Sequence, residues 1–100
     1  LMTKFLLSPE AQESLKQIKA YSTKQFGVEQ TKLYLNQLLT AFKKLAENPF
    51  QGTKRAELLP GCYSLFIGSH TIYYRVNNEI VEVIDVLHHS MEPQRHLLDS

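Results

Sequence analysis

Two stretches decide how this chain folds: Gly68-Ser69-His70-Thr71-Ile72-Tyr73-Tyr74-Arg75-Val76 and Val83-Ile84-Asp85-Val86-Leu87-His88-His89-Ser90-Met91-Glu92-Pro93-Gln94-Arg95-His96-Leu97. The first opens on Gly68-Ser69, a two-residue hairpin turn with glycine in its first position. Ile72, Tyr74 and Val76 then alternate with Thr71, Tyr73 and Arg75, the period-two pattern of a strand with two unlike faces. Before the turn, Tyr63, Leu65 and Ile67 alternate with Cys62, Ser64 and Phe66 in the same way. After it, Asn77-Asn78-Glu79 reads as a second turn, and Ile80 to Leu87 is almost continuously apolar, as suits a central strand. With Asn78 and Glu79 at the turn, Arg75 stands opposite Glu82 as a cross-strand ion pair. Alternation puts Asp85 on the face of Val83 and Leu87, where it reads as a strand-end or partly exposed polar residue paired with Arg or His. The tail, Ser90 to Leu98, is expected to hold a short helical turn after Pro93.

Towards the N-terminus the period changes. Lys4-Phe5-Leu6-Leu7 reads as an opening strand, and Ser8-Pro9-Glu10 as a helix start, with a capping hydroxyl, a proline at the first helical position and an acid at the positive end of the dipole. Ala11, Leu15, Ile18 and Ser22 share one face of a helix running to about Phe26. Gly27 is expected to end it as a left-handed cap. A second helix, about Val28 to Glu47, carries Tyr34, Leu38, Ala41, Phe42 and Leu45 on its apolar stripe, widened by Leu35, Leu39 and Ala46. Asn48-Pro49 ends it, and residues 50–60 are expected to be a connecting loop. Helices joined this closely form an antiparallel hairpin. The resulting class is α+β, with order β-α-α-β-β-β and the helical hairpin packed on one face of a small antiparallel sheet. The first strand pairs with a strand of the later meander. The other sheet face is expected to stay partly uncovered, leaving an apolar groove of the kind that marks partner sites.

At 100 residues the chain reads as one domain, 1–100, that buries roughly 65% of its unfolded surface. Its 43% hydrophobic and 21% charged fractions are those of a folded domain rather than a disordered one. A formal charge of +1 leaves no general basic excess, so direct specific nucleic-acid binding is not expected. Lys43-Lys44 and Lys54-Arg55 are local basic clusters that read as solvated surface. The single Cys62 rules out an internal disulfide and fits a reducing cytoplasm, as a small half-buried strand residue. No secretory signal and no membrane-spanning run is visible. Leu1 precedes Met2 and is set aside.

Few residues point to chemistry. His88 and His89 are neighbours, and on a strand they would face opposite ways, unsuited to sharing one metal. No His-x3-His, His-Glu-x-x-His or Cys-x-x-Cys pattern occurs, so neither a metal nor a cofactor is expected. One histidine near the strand end has the chemistry of a general acid or base. The serines lack a Gly-x-Ser-x-Gly setting, the four glycines are scattered, and the carboxylates are dispersed. The strand aromatics Tyr63, Phe66, Tyr73 and Tyr74 read as core rather than as a base-stacking platform.

Several short wordings occur together in order: Leu7-Ser8-Pro9-Glu10-Ala11; Leu45-Ala46-Glu47-Asn48-Pro49 with Gly52 after it; Glu57-Leu58 followed by Pro60-Gly61; Gly68-Ser69-His70-Thr71-Ile72-Tyr73-Tyr74-Arg75; and Val86-Leu87-His88-His89-Ser90-Met91-Glu92-Pro93. Over about residues 4–97 this set resembles the ParE branch of the RelE/ParE toxins of bacterial toxin–antitoxin pairs. The resemblance implies a cytoplasmic bacterial toxin of a type II, plasmid-stabilising kind. Such a toxin binds rather than catalyses, inhibits DNA gyrase, and is neutralised in a hetero-oligomer by a ParD-like antitoxin laid across the helical hairpin and sheet. On this reading Leu15, Ile18, Arg55, Tyr73, Arg75 and Arg95 are the expected antitoxin contacts, and His88, His89, Met91, Arg95 and His96 the target-binding surface.

Two other readings stay open. The RelE-like branch cuts mRNA on the ribosome and needs a cation for the phosphate and a proton-transfer group. Thr71 stands near the position of that branch's sheet arginine, which leaves Arg75, His88 and His89 as candidate catalytic residues. A non-toxic antitoxin-binding module is the third reading. ParE-like chains often carry arginine where this chain has Asp85, so its antitoxin is expected to use a different contact there.

Overall fold

Ser8 ends the first strand and starts the helices. In the computed structural model, which describes residues 4–97, its Oγ accepts from Ala11 N at 2.9 Å and donates to Ile84 O at 2.6 Å. One side chain thus caps a helix and ties it to the sheet. Leu98, the last residue of the expected tail, lies outside the described residues.

The helical segment α1 spans Pro9–Glu47, 39 residues. Straight, it would be about 58 Å long, longer than the molecule's greatest extent of 38 Å. It breaks at Gly27, whose φ of 87° and ψ of 171° are not helical, and folds back so that Thr23 Oγ1 meets Thr31 Oγ1 at 3.4 Å. The arms, residues 9–26 and 28–47, form the expected hairpin. The cap differs from expectation: its φ is positive, but ψ is extended rather than left-handed helical, a region that only glycine enters freely.

Five strands form one sheet: β1 (Lys4–Leu7), β2 (Thr53–Lys54), β3 (Tyr63–Ile67), β4 (His70–Asn77) and β5 (Ile80–His88), in spatial order β1-β5-β4-β3-β2. β2 to β5 are antiparallel. β1 pairs parallel to β5, which corrects the all-antiparallel expectation: the hairpin between them serves as the long crossover that parallel strands require. β2 falls inside the expected loop, since two residues are too few to show a period. Gly68 has a φ of 56°, and Asn78 and Glu79 have φ of 51° and 65°, the positive values that two-residue hairpin turns demand. Arg75 does face Glu82 in register. However, the ion pairs among the described residues are Arg55–Glu57 and Arg95–Glu92, so the expected Arg75–Glu82 pair is not made.

A bulge interrupts β5. Tyr73 pairs with Asp85 and Tyr74 with Val83, leaving Ile84 as the extra residue. Alternation therefore slips. Val81, Val83 and Val86 pack on the helices with Ile18, Leu38, Phe42 and Tyr74, whereas Ile84 and Leu87 lie in a second cluster with Cys62, Tyr73 and Leu97. Val83 and Leu87 are on opposite faces, which overturns the face assigned to Asp85. The second cluster is covered by Leu58 and Leu59 of the loop and by Leu97 of the tail, beyond a 3-10 turn at Pro93–Arg95. The chain itself thus covers the middle of the back of the sheet, burying Tyr73 and Ile84 where an open apolar groove was expected, while Phe66 nearer the edge stays exposed.

Candidate functional site

The uncovered apolar space lies between the helical hairpin and the His70/His88 end of the β4–β5 ladder. It is a groove of about 710 Å³. Ile18, Tyr21 and Phe26 line it from the first arm and Tyr34 from the second, with His70, Val86, His88 and Met91 opposite. No Lys, Arg, Asp or Glu is among its lining residues. Tyr21 is 64% exposed, Phe26 66% and Met91 39%. Apolar groups that remain this wet beside a groove favour association, at roughly 25 cal/mol per Å² covered.

Tyr34 holds the closed end. Its Oη lies 2.6 Å from His70 Nδ1, 3.1 Å from the Ser69 amide that donates to it, and 3.2 Å from Ile67 O. One phenol thus fixes the β3–β4 turn against the second helical arm. Desolvation by burial raises its pKa, against the lowering effect of the Ser69 amide. Burial, and then the charges of His88 and His89, push His70 down to about 4. The His70 and His88 rings meet edge-on at 5.4 Å between centroids, and those of His88 and His89 are 4.2 Å apart. His88 Nδ1 is 2.7 Å from Ser90 Oγ, and His89 Nδ1 is 3.2 Å from Ser69 O.

The structure brings some expected site residues together and separates others. Ile18, His88 and Met91 line the groove, and the His89 ring lies beside that of His88, tilted at 41°, just outside the lining. Leu15 packs against the helix-side core. Arg95 is exposed on the tail, paired with Glu92 at 3.2 Å, and His96 follows it. Tyr73 is buried in the second cluster and offers no contact surface. The Arg55 guanidinium lies over its ring, 5.9 Å from the centroid, and pairs with Glu57 at 2.8 Å. Arg75, five positions along β4 from the His70–His88 pair, is roughly 16 Å from it at strand spacing. Arg75, His88 and His89 therefore do not converge on one phosphate. Asp85 is buried, but its partners are neither Arg nor His: Oδ1 accepts from Ser14 Oγ at 2.6 Å and from Val86 N at 2.8 Å.

Tyr21, Phe26 and Tyr34 were not among the expected site residues. Tyr34 read as an ordinary member of the apolar stripe, and its phenol finds partners only once the distant turn is in place. Phe26 carried a usable signal, a large apolar residue immediately before a helix-breaking glycine and so at the hairpin tip.

A family model described as the ParE toxin of the type II toxin–antitoxin system, parDE, matches residues 5–93. Toxin ParE1 of Mycobacterium tuberculosis (strain ATCC 25618 / H37Rv) is 39% identical over 98 residues, covering 97% of this chain and 100% of that protein. Toxin ParE1 of Caulobacter vibrioides is 38% identical over 96 residues, covering 96% and 99%. Among solved structures, a chain of the chromosomal ParDE toxin–antitoxin system from P. aeruginosa superposes with a TM-score of 0.74 at 18% identity, covering 87% of this chain and 95% of that one. A chain of the RelBE2 toxin–antitoxin complex from Mycobacterium tuberculosis does so at 0.59 and 18%, covering 88% and 99%. These two likenesses speak to the fold alone.

Proposed function

The chain belongs to the ParE toxin family of type II toxin–antitoxin systems, and from that premise we propose that it acts by binding: free, it inhibits DNA gyrase, and a ParD-like antitoxin neutralises it by covering the groove. The observation that carries this reading is the uncharged, largely apolar groove with Tyr21, Phe26 and Met91 exposed along it. Such a surface suits an amphipathic segment of a partner chain. Ile18 at its base is the antitoxin contact retained from the sequence. Arg55, Arg75 and Arg95 are proposed charged contacts outside it. His88, His89, Met91, Arg95 and His96 form the proposed target surface, next to the groove, so an antitoxin seated there also shields the toxic end. With those partners, the proposed location is the bacterial cytoplasm.

The test is a purified gyrase assay, reading supercoiling and DNA cleavage, run beside cell-free translation. Trapped cleaved DNA with intact translation is expected. Cut mRNA with unaffected gyrase would move the chain to the ribonuclease reading, and no effect on either would make it a non-toxic antitoxin-binding module.

A further inference from the structure

The groove has no charged lining, yet it ends in imidazoles whose hydrogens the backbone assigns. Ser90 N–H lies 3.1 Å from His88 Nδ1 and can only donate. That nitrogen is therefore an acceptor, and His88 carries its hydrogen on Nε2. Ser69 O lies 3.2 Å from His89 Nδ1 and can only accept, so His89 carries its hydrogen on Nδ1. Charging His88 would put a second hydrogen on Nδ1, opposed by the Ser90 amide and acceptable only if Ser90 Oγ, 2.7 Å away, turns to accept it.

No compensating charge is at hand. From α1, Tyr34 meets His70, and Tyr21 shares the groove lining with His70 and His88. Asp85 on β5 is engaged by Ser14 and the Val86 amide. In the tail, Glu92 is paired with Arg95. Among the described residues no carboxylate lies within 4.0 Å of an imidazole. Cover without a counter-charge disfavours the protonated ring, and His70, half-covered beside Tyr34, already behaves so.

We propose that the His88–His89 rim makes antitoxin binding proton-linked: the partner seats an uncharged segment against neutral imidazoles, protons leave the rim as it docks, and the complex loosens as pH falls. This rests on the groove being the antitoxin's seat. The sign follows from linkage. A ring that can take a proton in the free toxin but not under the antitoxin makes the free toxin bind more protons than the complex as acid is added, so acid favours the free toxin. For one imidazole barred from charging in the complex, Kd rises roughly tenfold from pH 7.5 to 5.5. His70, neutral across that range, contributes nothing to the slope.

The experiment titrates the purified antitoxin encoded beside this chain into the toxin at pH 7.5 and 5.5, by calorimetry in two buffers of different ionisation enthalpy. The wild-type chain, Phe26→Ser and the double variant His88→Gln/His89→Gln are compared. Expected are proton release on binding, a roughly tenfold or larger rise in Kd on acidification, and loss of most of that rise in the double variant. If Phe26→Ser binds as tightly as wild type at pH 7.5, the groove is not the antitoxin's seat and the functional reading falls with the inference. If Phe26→Ser weakens binding but wild-type Kd is the same at both pH values, or falls in acid, the groove stands and the proton linkage is overturned.

Discussion

At Gly52 a β-carbon would lie 2.5 Å from Tyr74 Oη and 2.7 Å from Ser64 O. The crowding has a purpose: Oη accepts from Gly52 N at 3.0 Å and donates to Pro49 O at 2.8 Å, joining the end of the helical hairpin to the middle of the sheet. Gly52→Ala should therefore lower stability by about 1–3 kcal/mol in urea unfolding. Tyr74→Phe loses both bonds at a buried site, about 1–3 kcal/mol. It also removes one of the clashing atoms, so the double variant should be less destabilised than the sum of the singles. His70 supplies a second residue-scale prediction. Its folded pKa lies below the ordinary value, so the unfolded chain binds more protons between about pH 6.5 and 4, and stability falls as pH falls through that window. The full shift would be worth roughly 3.4 kcal/mol, but the ring is only half-buried, so about 1–2 kcal/mol is expected. Unfolding midpoints at pH 7 and 4.5 should differ less in His70→Gln than in the wild type. The sequence named His88 and Met91 because they sit in a distinctive wording. It could not name Tyr34, whose partners lie 33 to 36 positions away.

Among the elements, the hairpin was legible because Gly27 stands between two 3.6-residue patterns. Its ψ was not, because either conformation would end a helix. A β-carbon on Gly27 would meet nothing within 4 Å, so Gly27→Ala tests backbone strain alone. The expected loss is about 1–3 kcal/mol, with weakened antitoxin binding because Phe26 is carried on the same bend. The bulge at Ile84 was hidden for a different reason. From Ile80 to Leu87 nearly every residue is apolar, so a slip between faces leaves no trace in the pattern. Deleting Ile84 would remove the extra residue and restore strict alternation with Val86 still opposite Ile72 on the helix side and Leu87 still opposite Thr71 on the back. The deletion variant should still melt cooperatively, at a midpoint lowered by the loss of one buried side chain, while Ile84→Val should melt within a few degrees of wild type.

For the molecule as a whole, element order, the packed hairpin and the meander register followed from periodicity and turns. The parallel placement of β1 did not, because a four-residue strand carries no sign of its partner. Nor did the covered middle of the sheet's back, which depends on Leu58, Leu59 and Leu97 folding over it from segments without a period. Leu97 is fully buried, and Leu97→Ala should cost about 2–4 kcal/mol. A tail truncation aimed at the proposed target surface would thus also unfasten the back of the sheet, and single exchanges at His88, Arg95 or His96 test that proposal without disturbing the fold.

The pairing of β1 with β5 also sets a schedule. Ser8 bonds to Val83 and Ile84, the latter 76 positions later, so the first strand emerges from the ribosome roughly 4 to 15 s before its partner at ordinary synthesis rates. Until then the inner faces of the helices, Ile18, Leu38 and Phe42, have no sheet to rest on. A prematurely terminated chain lacks β5, the strand on which β1 and β4 both pair, so the fold can close only when translation is nearly finished.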